Sequence, residues 1–269
     1  MRTPMNRLYF TIAVSLATAS LARAQNADEM AKQVANPIAS LTSVPVQFND
    51  EYDAGVDGEG HRLRINVQPV VPMSIGEDWN LISRTIVPII KQQDMRAGSD
   101  EQSGIGDATQ SLFFSPKALT AGGWTWGIGP VFLLPTASDD LLGSDRWGAG
   151  PTFVALRQTA AGWTYGVLTN HIVSFAGDDD RADINATFLQ PFVARRIGPG
   201  RTVSMNVEST YDWERAAWNA PVNLGISQIL PIGKQLVSLQ AGGAYYVEAP
   251  RGAPEWGVRL TVTFLYPKR

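Results

Sequence analysis

From Thr42 to Tyr266 the chain alternates apolar and polar residues in short stretches. The last of these is the cleanest. Val258, Leu260, Val262, Phe264 and Tyr266 fall on one face, and Gly257, Arg259, Thr261 and Thr263 on the other, with Leu265 as the exception. A period of two is that of a β-strand, because successive side chains point to opposite faces. The pattern predicts strands over about 42–49, 61–73, 79–90, 105–116, 123–134, 147–157, 163–175, 184–195, 201–213, 218–229, 235–247 and 255–266. That is about twelve, and most are near the ~9–11 residues that a tilted strand needs to cross a bilayer.

The connections fall into two classes. Polar segments follow the odd strands, such as Asp50 to Gly60, Lys91 to Gly104, Pro135 to Arg146 and Gly177 to Asp183. Tight turns follow the even ones, such as Ser74 to Asp78, Ala160 to Gly162, Ile197 to Gly200 and Pro231 to Lys234. The connection after the ninth strand, Glu214 to Ala217, is short and fits least well. Long loops at one end and short turns at the other match outer-membrane barrels, whose long loops face outside. An even strand count then puts both termini on the periplasmic side.

Trp79, Trp124, Trp126, Trp147, Trp163, Trp213, Trp218 and Trp256 all lie near predicted strand boundaries. Amphipathic indole rings favour the lipid–water interface, where barrels carry aromatic girdles. GGWTWG (122–127) and AGWTYG (161–166) are near repeats, as are GIGPVFLLP (127–135) and GAGPTFVAL (148–156), and they read as repeated hairpin units. One feature argues the other way. Pro45, Pro69, Pro72, Pro88, Pro116, Pro130, Pro151, Pro191 and Pro221 fall inside predicted strands, where each removes a ladder donor.

The N-terminus has the form of a secretory signal. Arg2 and Arg7 precede an apolar stretch from Leu8 to Leu21, and Ala22-Arg23-Ala24 supplies a small-residue cleavage site. The expected division is a signal peptide over 1–24, a periplasmic leader over 25–41 with a short helix or extended form, and a barrel over 42–269. Met30, Val34, Ile38 and Leu41 of the leader have helical spacing, interrupted by Pro37. The formal charge is -3 for the whole chain. Removing the signal takes away three arginines and leaves about -6, which gives no electrostatic reason to bind nucleic acid. With no cysteine there is no disulfide framework and no thiolate metal site.

Candidate chemistry is sparse. The only histidines are His61 and His171. A Ser–His pair of His171 with Ser174 would make a barrel-wall lipid hydrolase, but a separation of three along a strand puts the two on opposite faces. Asp139, Asp140, Asp178, Asp179 and Asp180 could offer hard oxygen ligands to a cation, but acidic loop clusters are more often simply solvated, and no metal site is assigned. The GxG elements at 104–106, 127–129 and 148–150 lack a strand-to-helix setting, so no dinucleotide cofactor is expected. No catalytic residue is assigned and an enzyme is not expected. Charges facing lipid are costly, so the polar faces should line a lumen. Arg64, Asn66 and Gln68 share one such face, Asn206, Glu208, Thr210 and Asp212 another, and Arg259 points inward from the last strand.

Long stretches of the chain resemble a known family. ANPIASLTSVPVQF, QPVVPMSIGEDWNLISRTIVPII, GIGDATQSLFFSPK, WGIGPVFLLPTASDDLLGSDRWGAGP, NATFLQPF and STYDWE are similar to a family of Gram-negative outer-membrane proteins named for the meta-cleavage pathway of phenol degradation. The resemblance runs from about Asn36 to Pro267. It implies an outer-membrane barrel that admits aromatic or other hydrophobic compounds, and it carries over no catalytic or binding residue. The expected reading is an all-β, closed antiparallel barrel of about twelve strands in the outer membrane. Its expected partners are membrane lipid and a small solute, with no nucleic acid. A non-conducting structural or surface-interaction barrel, a lipid hydrolase in the wall and a soluble β-sandwich are the rival readings.

Overall fold

A computed structural model describes residues 26–55, 57–95 and 101–267. The expected signal segment lies outside the described residues. The wall has twelve strands, four of them broken once. They are β1 (Thr42–Ala54), β2 (Gly60–Val67 and Val70–Ile75), β3 (Trp79–Gln93), β4 (Gln102–Ile105 and Ala108–Pro116), β5 (Trp124–Leu134) and β6 (Arg146–Gln158). They continue as β7 (Trp163–Gly177), β8 (Asn185–Gly198), β9 (Arg201–Val207 and Ser209–Asp212), β10 (Ala217–Asn219 and Pro221–Ile232), β11 (Gln235–Tyr246) and β12 (Trp256–Tyr266). Each strand pairs antiparallel with its sequence neighbours, and β12 closes on β1 from Thr42↔Tyr266 to Tyr52↔Trp256. Closure leaves no sheet edge unpaired, which a lipid environment demands. The chain is a closed antiparallel barrel of the Gram-negative outer-membrane type.

The alternation follows the register. Val258 and Leu260 are 43% and 51% exposed on the outer face, whereas Thr261 and Thr263 are buried within. Several strands outrun their expected ends. β1 continues through Asp50 to Ala54, and β3 continues to Gln93. The added stretches carry outward charges, such as Asp50, which meets His61 at 2.6 Å, and Lys91, which meets Glu101 at 3.0 Å. Outward charge is tolerable there because the barrel rises above the apolar band on the long-loop side.

The near repeats are one turn used twice. Gly123 and Gly162 have φ of 74° and 85°, a left-handed conformation that favours glycine. Each N–H donates to a threonine carbonyl, Thr120 or Thr159, three residues earlier. The same threonines accept from the N–H of Trp124 and Trp163 through Oγ1, at 3.0 and 3.1 Å. Both tryptophans thereby start their strands on the outer face.

The prolines sit where the ladder is already interrupted. The β4–β5 pairing skips Gly129–Pro130, β6–β7 skips Gly150–Pro151, and the break in β9 lies opposite Gln190–Pro191. Pro45 and Pro69 flank the skip between β1 and β2. Pro88 faces the break in β4, and Pro221 borders the break in β10. Pro72 lies beyond the start of β1, and Pro116 ends β4. Carbonyls at these gaps still find donors: Gln68 N–H donates to Pro45, Gly106 to Pro88 and Glu208 to Pro221 at 2.8, 2.9 and 3.0 Å. A missing donor is therefore matched by a gap in the ladder.

All eight tryptophans face outward, in two tiers. Trp79, Trp124, Trp126 and Trp163 lie at the short-turn end, and Trp147, Trp213, Trp218 and Trp256 at the loop end. Among the described residues no helix is long and apolar enough to cross a membrane.

Residues 26–34 form a helix, α1, inside the short-turn mouth. Its Met30 and Ala31, with Ala39 and Leu41 beyond it, pack on inward Ile229 and Leu265. Past Pro37 the chain carries Ile38 into a second cluster of Ile82, Phe113, Val154, Leu156 and Leu168. Gln158 donates to the Lys32 carbonyl at 2.8 Å, and Asp28 Oδ1 accepts from Gly200 N–H at 2.9 Å. The lower lumen is thus filled by the leader.

Candidate functional site in the barrel lumen

Above the leader the inward residues turn polar, and they enclose a cavity of about 450 Å³. Arg64, Asn66, Gln68, Asn206, Glu208, Thr210 and Arg259 all line it. Asp212 stands apart. It shares their face by register, but it caps the turn above, accepting from Glu214 and Arg215 N–H at 2.9 and 3.0 Å and pairing with the Arg215 side chain at 2.8 Å.

Two carboxylates organise the wall. Glu208 on β9 takes a bidentate contact from Arg259 on β12, both bonds at 2.9 Å, so the pair spans the lumen past two intervening strands. Arg259 Nε also donates to Asn49 Oδ1 at 2.7 Å. Glu51 on β1 receives Arg62 at 2.7 Å, Arg64 at 2.6 Å and the Tyr246 hydroxyl at 3.0 Å. Fork-to-carboxylate bonds of this kind are the strong ones, and they fix side chains that would otherwise be mobile in water. Arg84 differs: it donates to Gln68 Oε1 at 3.1 Å and, among the described residues, has no carboxylate in ion-pair range. Arg62, Arg64, Arg84 and Arg259 against Glu51 and Glu208 leave this stretch with a net charge of +2, in a chain whose formal charge is -3.

Gln47, Gln68, Gln190, Gln240 and Arg84 border both the main cavity and a smaller space of about 230 Å³ that is walled below by leader residues 33–37. They form a polar collar between the open half and the filled half. At the other end, loop 135–145 leans inward, its Leu141 carbonyl accepting from Gln92 at 3.4 Å. Arg181 ties that loop through the carbonyls of Asp140 and Gly143, and Arg146 meets Asp183 and Asp179 at 3.1 and 3.4 Å.

Those bonds occupy part of the acidic loop clusters. Asp139 and Asp178 accept backbone N–H groups two residues on, at 2.8 and 2.9 Å, while Asp179 meets Arg146. Among the described residues no group of three or more acidic or histidine side chains could hold a metal ion. His171 faces outward, with Nδ1 2.9 Å from Thr187 Oγ1, which also accepts from Trp213 Nε1. Ser174 bonds Asp183 at 3.2 Å instead. The structure does not bring His171 and Ser174 together.

Sequence reasoning left out Glu51, Arg62, Arg84 and the collar glutamines other than Gln68. Arg84 was findable, since an arginine within the apolar stretch LISRTIVPII must point away from lipid. Glu51 was hidden because β1 was expected to end before it.

A search of the curated proteins finds no match. Among solved structures the chain is similar to an outer membrane channel from Pseudomonas putida F1, with a TM-score of 0.66, 14% identity, and 84% of this chain and 96% of that one covered. It is also similar to the NanC porin, with a TM-score of 0.50, 8% identity, and 84% and 100% covered. At such identities the likeness is one of fold. The model of the family described as "Putative MetA-pathway of phenol degradation" matches residues 60–268, and the chain belongs to that family.

Proposed function

We propose that the barrel passes small solutes across the outer membrane through its lumen. The supporting observation is the polar cavity of about 450 Å³ above the leader, lined by side chains that a filled barrel would not need. A barrel stabilised only by its interior would be expected to neutralise its inward charges, whereas this one keeps a net charge of +2 with Arg84 outside ion-pair range of any carboxylate among the described residues. The solved relative named an outer membrane channel has the same fold, which is in keeping with the reading. The solute class suited to the family description is aromatic or otherwise apolar.

The leader sets the resting condition in this account. It occupies the periplasmic mouth, so passage needs either the narrow space beside it or its displacement. Its two apolar contacts make a seated state the stable one, since burying a side chain such as Ile38 contributes about 1.5–3 kcal/mol.

Reversal potential across a salt gradient in planar bilayers tests the reading. Stable openings that favour anions, with the preference reduced in Arg259→Ala, are expected. A folded barrel whose ion preference is unchanged by Arg259→Ala would show that ions do not pass these residues.

A further inference from the structure

We infer that the upper lumen holds a binding site for a compact monocarboxylate with an apolar body, such as an aromatic acid. The inference rests on the lumen being the solute path and names the class of solute it selects.

The cavity is two-sided. Arg64 on β2, Arg84 on β3 and Arg259 on β12 lie on one stretch of wall, with β1 between β12 and β2. Ile172 on β7, Phe188 on β8, and Ile184 just before β8, line the wall across from them beside Asn170 and Gln190, and Leu133 on β5 extends the apolar surface to one side. On a ring of twelve strands β2 and β8 are diametrically opposed. A ligand in this space meets guanidinium groups at one end and a branched, aromatic surface at the other.

The basic wall has unused capacity. Arg84 is held only by the neutral Gln68 amide. Arg64 gives one Nη to Glu51, and its buried Nε has no partner. A buried donor left unbonded is costly, and an arriving acceptor removes that cost. Guanidinium groups match a carboxylate in plane and can bind it through two bonds. The apolar wall works against small hydrated anions, which would lose water there without replacement bonds. About 450 Å³ lies within the range of small-ligand sites, roughly 300–1,000 Å³. Charge selects an acid, shape sets a small one, and the far wall favours one with a ring or branched chain.

The test is calorimetric titration of the intact, detergent-solubilised barrel with benzoate, benzamide and acetate. Benzoate should bind, with benzamide weaker by about tenfold or more, the scale of one charge-assisted contact, and acetate weaker by about tenfold or more through the apolar surface it does not bury. Arg84→Gln should weaken benzoate about tenfold and leave benzamide unchanged, while Arg84→Lys keeps the preference for the acid. Heat-modifiable migration on gels confirms that each variant is folded, and should Arg84→Gln not fold, Arg84→Lys and the three-ligand comparison decide alone. Equal binding of benzoate and benzamide, or benzoate binding unaffected by Arg84→Gln, overturns the site. Acetate binding as tightly as benzoate overturns the apolar half of it. Conductance is read separately: a conducting barrel that ignores benzoate loses this site and keeps the channel, and a binding barrel that never conducts does the reverse.

Discussion

The two halves of the lumen obey opposite rules although the same strands build both. In the upper half most inward residues are polar, with arginine, glutamate, asparagine and glutamine around open space and Leu133, Ile172, Ile184 and Phe188 along one side. In the lower half Ile82, Phe113, Val154, Leu156, Leu168, Ile229 and Leu265 close on Ile38, Met30 and Leu41, and the polar residues among them are small and uncharged, such as Ser238 and Thr263. On the inward face of a barrel strand, polarity therefore reports what fills the lumen at that height. Water calls for polar side chains, and a protein plug calls for apolar ones.

The comparison breaks most visibly if one charge is moved between the halves. Ile38→Asp puts an unpaired carboxylate into the apolar clamp. It should cost several kcal/mol of leader docking and expose residues 26–41 to protease, read by limited proteolysis of the folded barrel. Thr210→Asp adds the same charge beside the open cavity, where water can reach it, and should change unfolding free energy by less than about 1 kcal/mol. Ile38→Ala sharpens the lower half alone. It should weaken docking by about 2–4 kcal/mol through the cavity it leaves, seen as faster proteolysis of the leader.

Glu208→Gln probes the upper half. Losing the bidentate partner of Arg259 should lower stability by about 2 kcal/mol, between the values for exposed and buried pairs. It should also raise anion preference, because Arg62, Arg64, Arg84 and Arg259 then have only Glu51 to offset them. The smallest effect is expected outside the lumen. His171→Ala removes one outward contact to Thr187 and should shift unfolding by less than about 1 kcal/mol.

Much of this was written in the strand pattern. Twelve strands and the inward faces bearing Arg64, Glu208 and Arg259 were legible in period-two alternation, because facing lipid or water is a local property of each residue, and the tryptophans were legible only as residues near strand ends. Leu265 read as an exception for want of its partner: it is apolar and inward because α1 packs on it. The prolines read as an objection for the same reason. A ladder gap is a property of two strands, and no single strand shows it. Which arginine lacks a carboxylate was equally hidden, since Arg259 meets Glu208 across two other strands and Glu51 collects Arg62 and Arg64 from β2. Loop lengths were overestimated where β1 runs on to Ala54, because polar outward residues continue as strand once the wall has left the lipid.

The most direct measurement is single-channel current from the refolded barrel with and without residues 26–41. An open upper lumen closed below by the leader predicts small, infrequent openings for the intact chain and persistent, several-fold larger ones after deletion. Equal currents from two folded forms, or none from either, would contradict it.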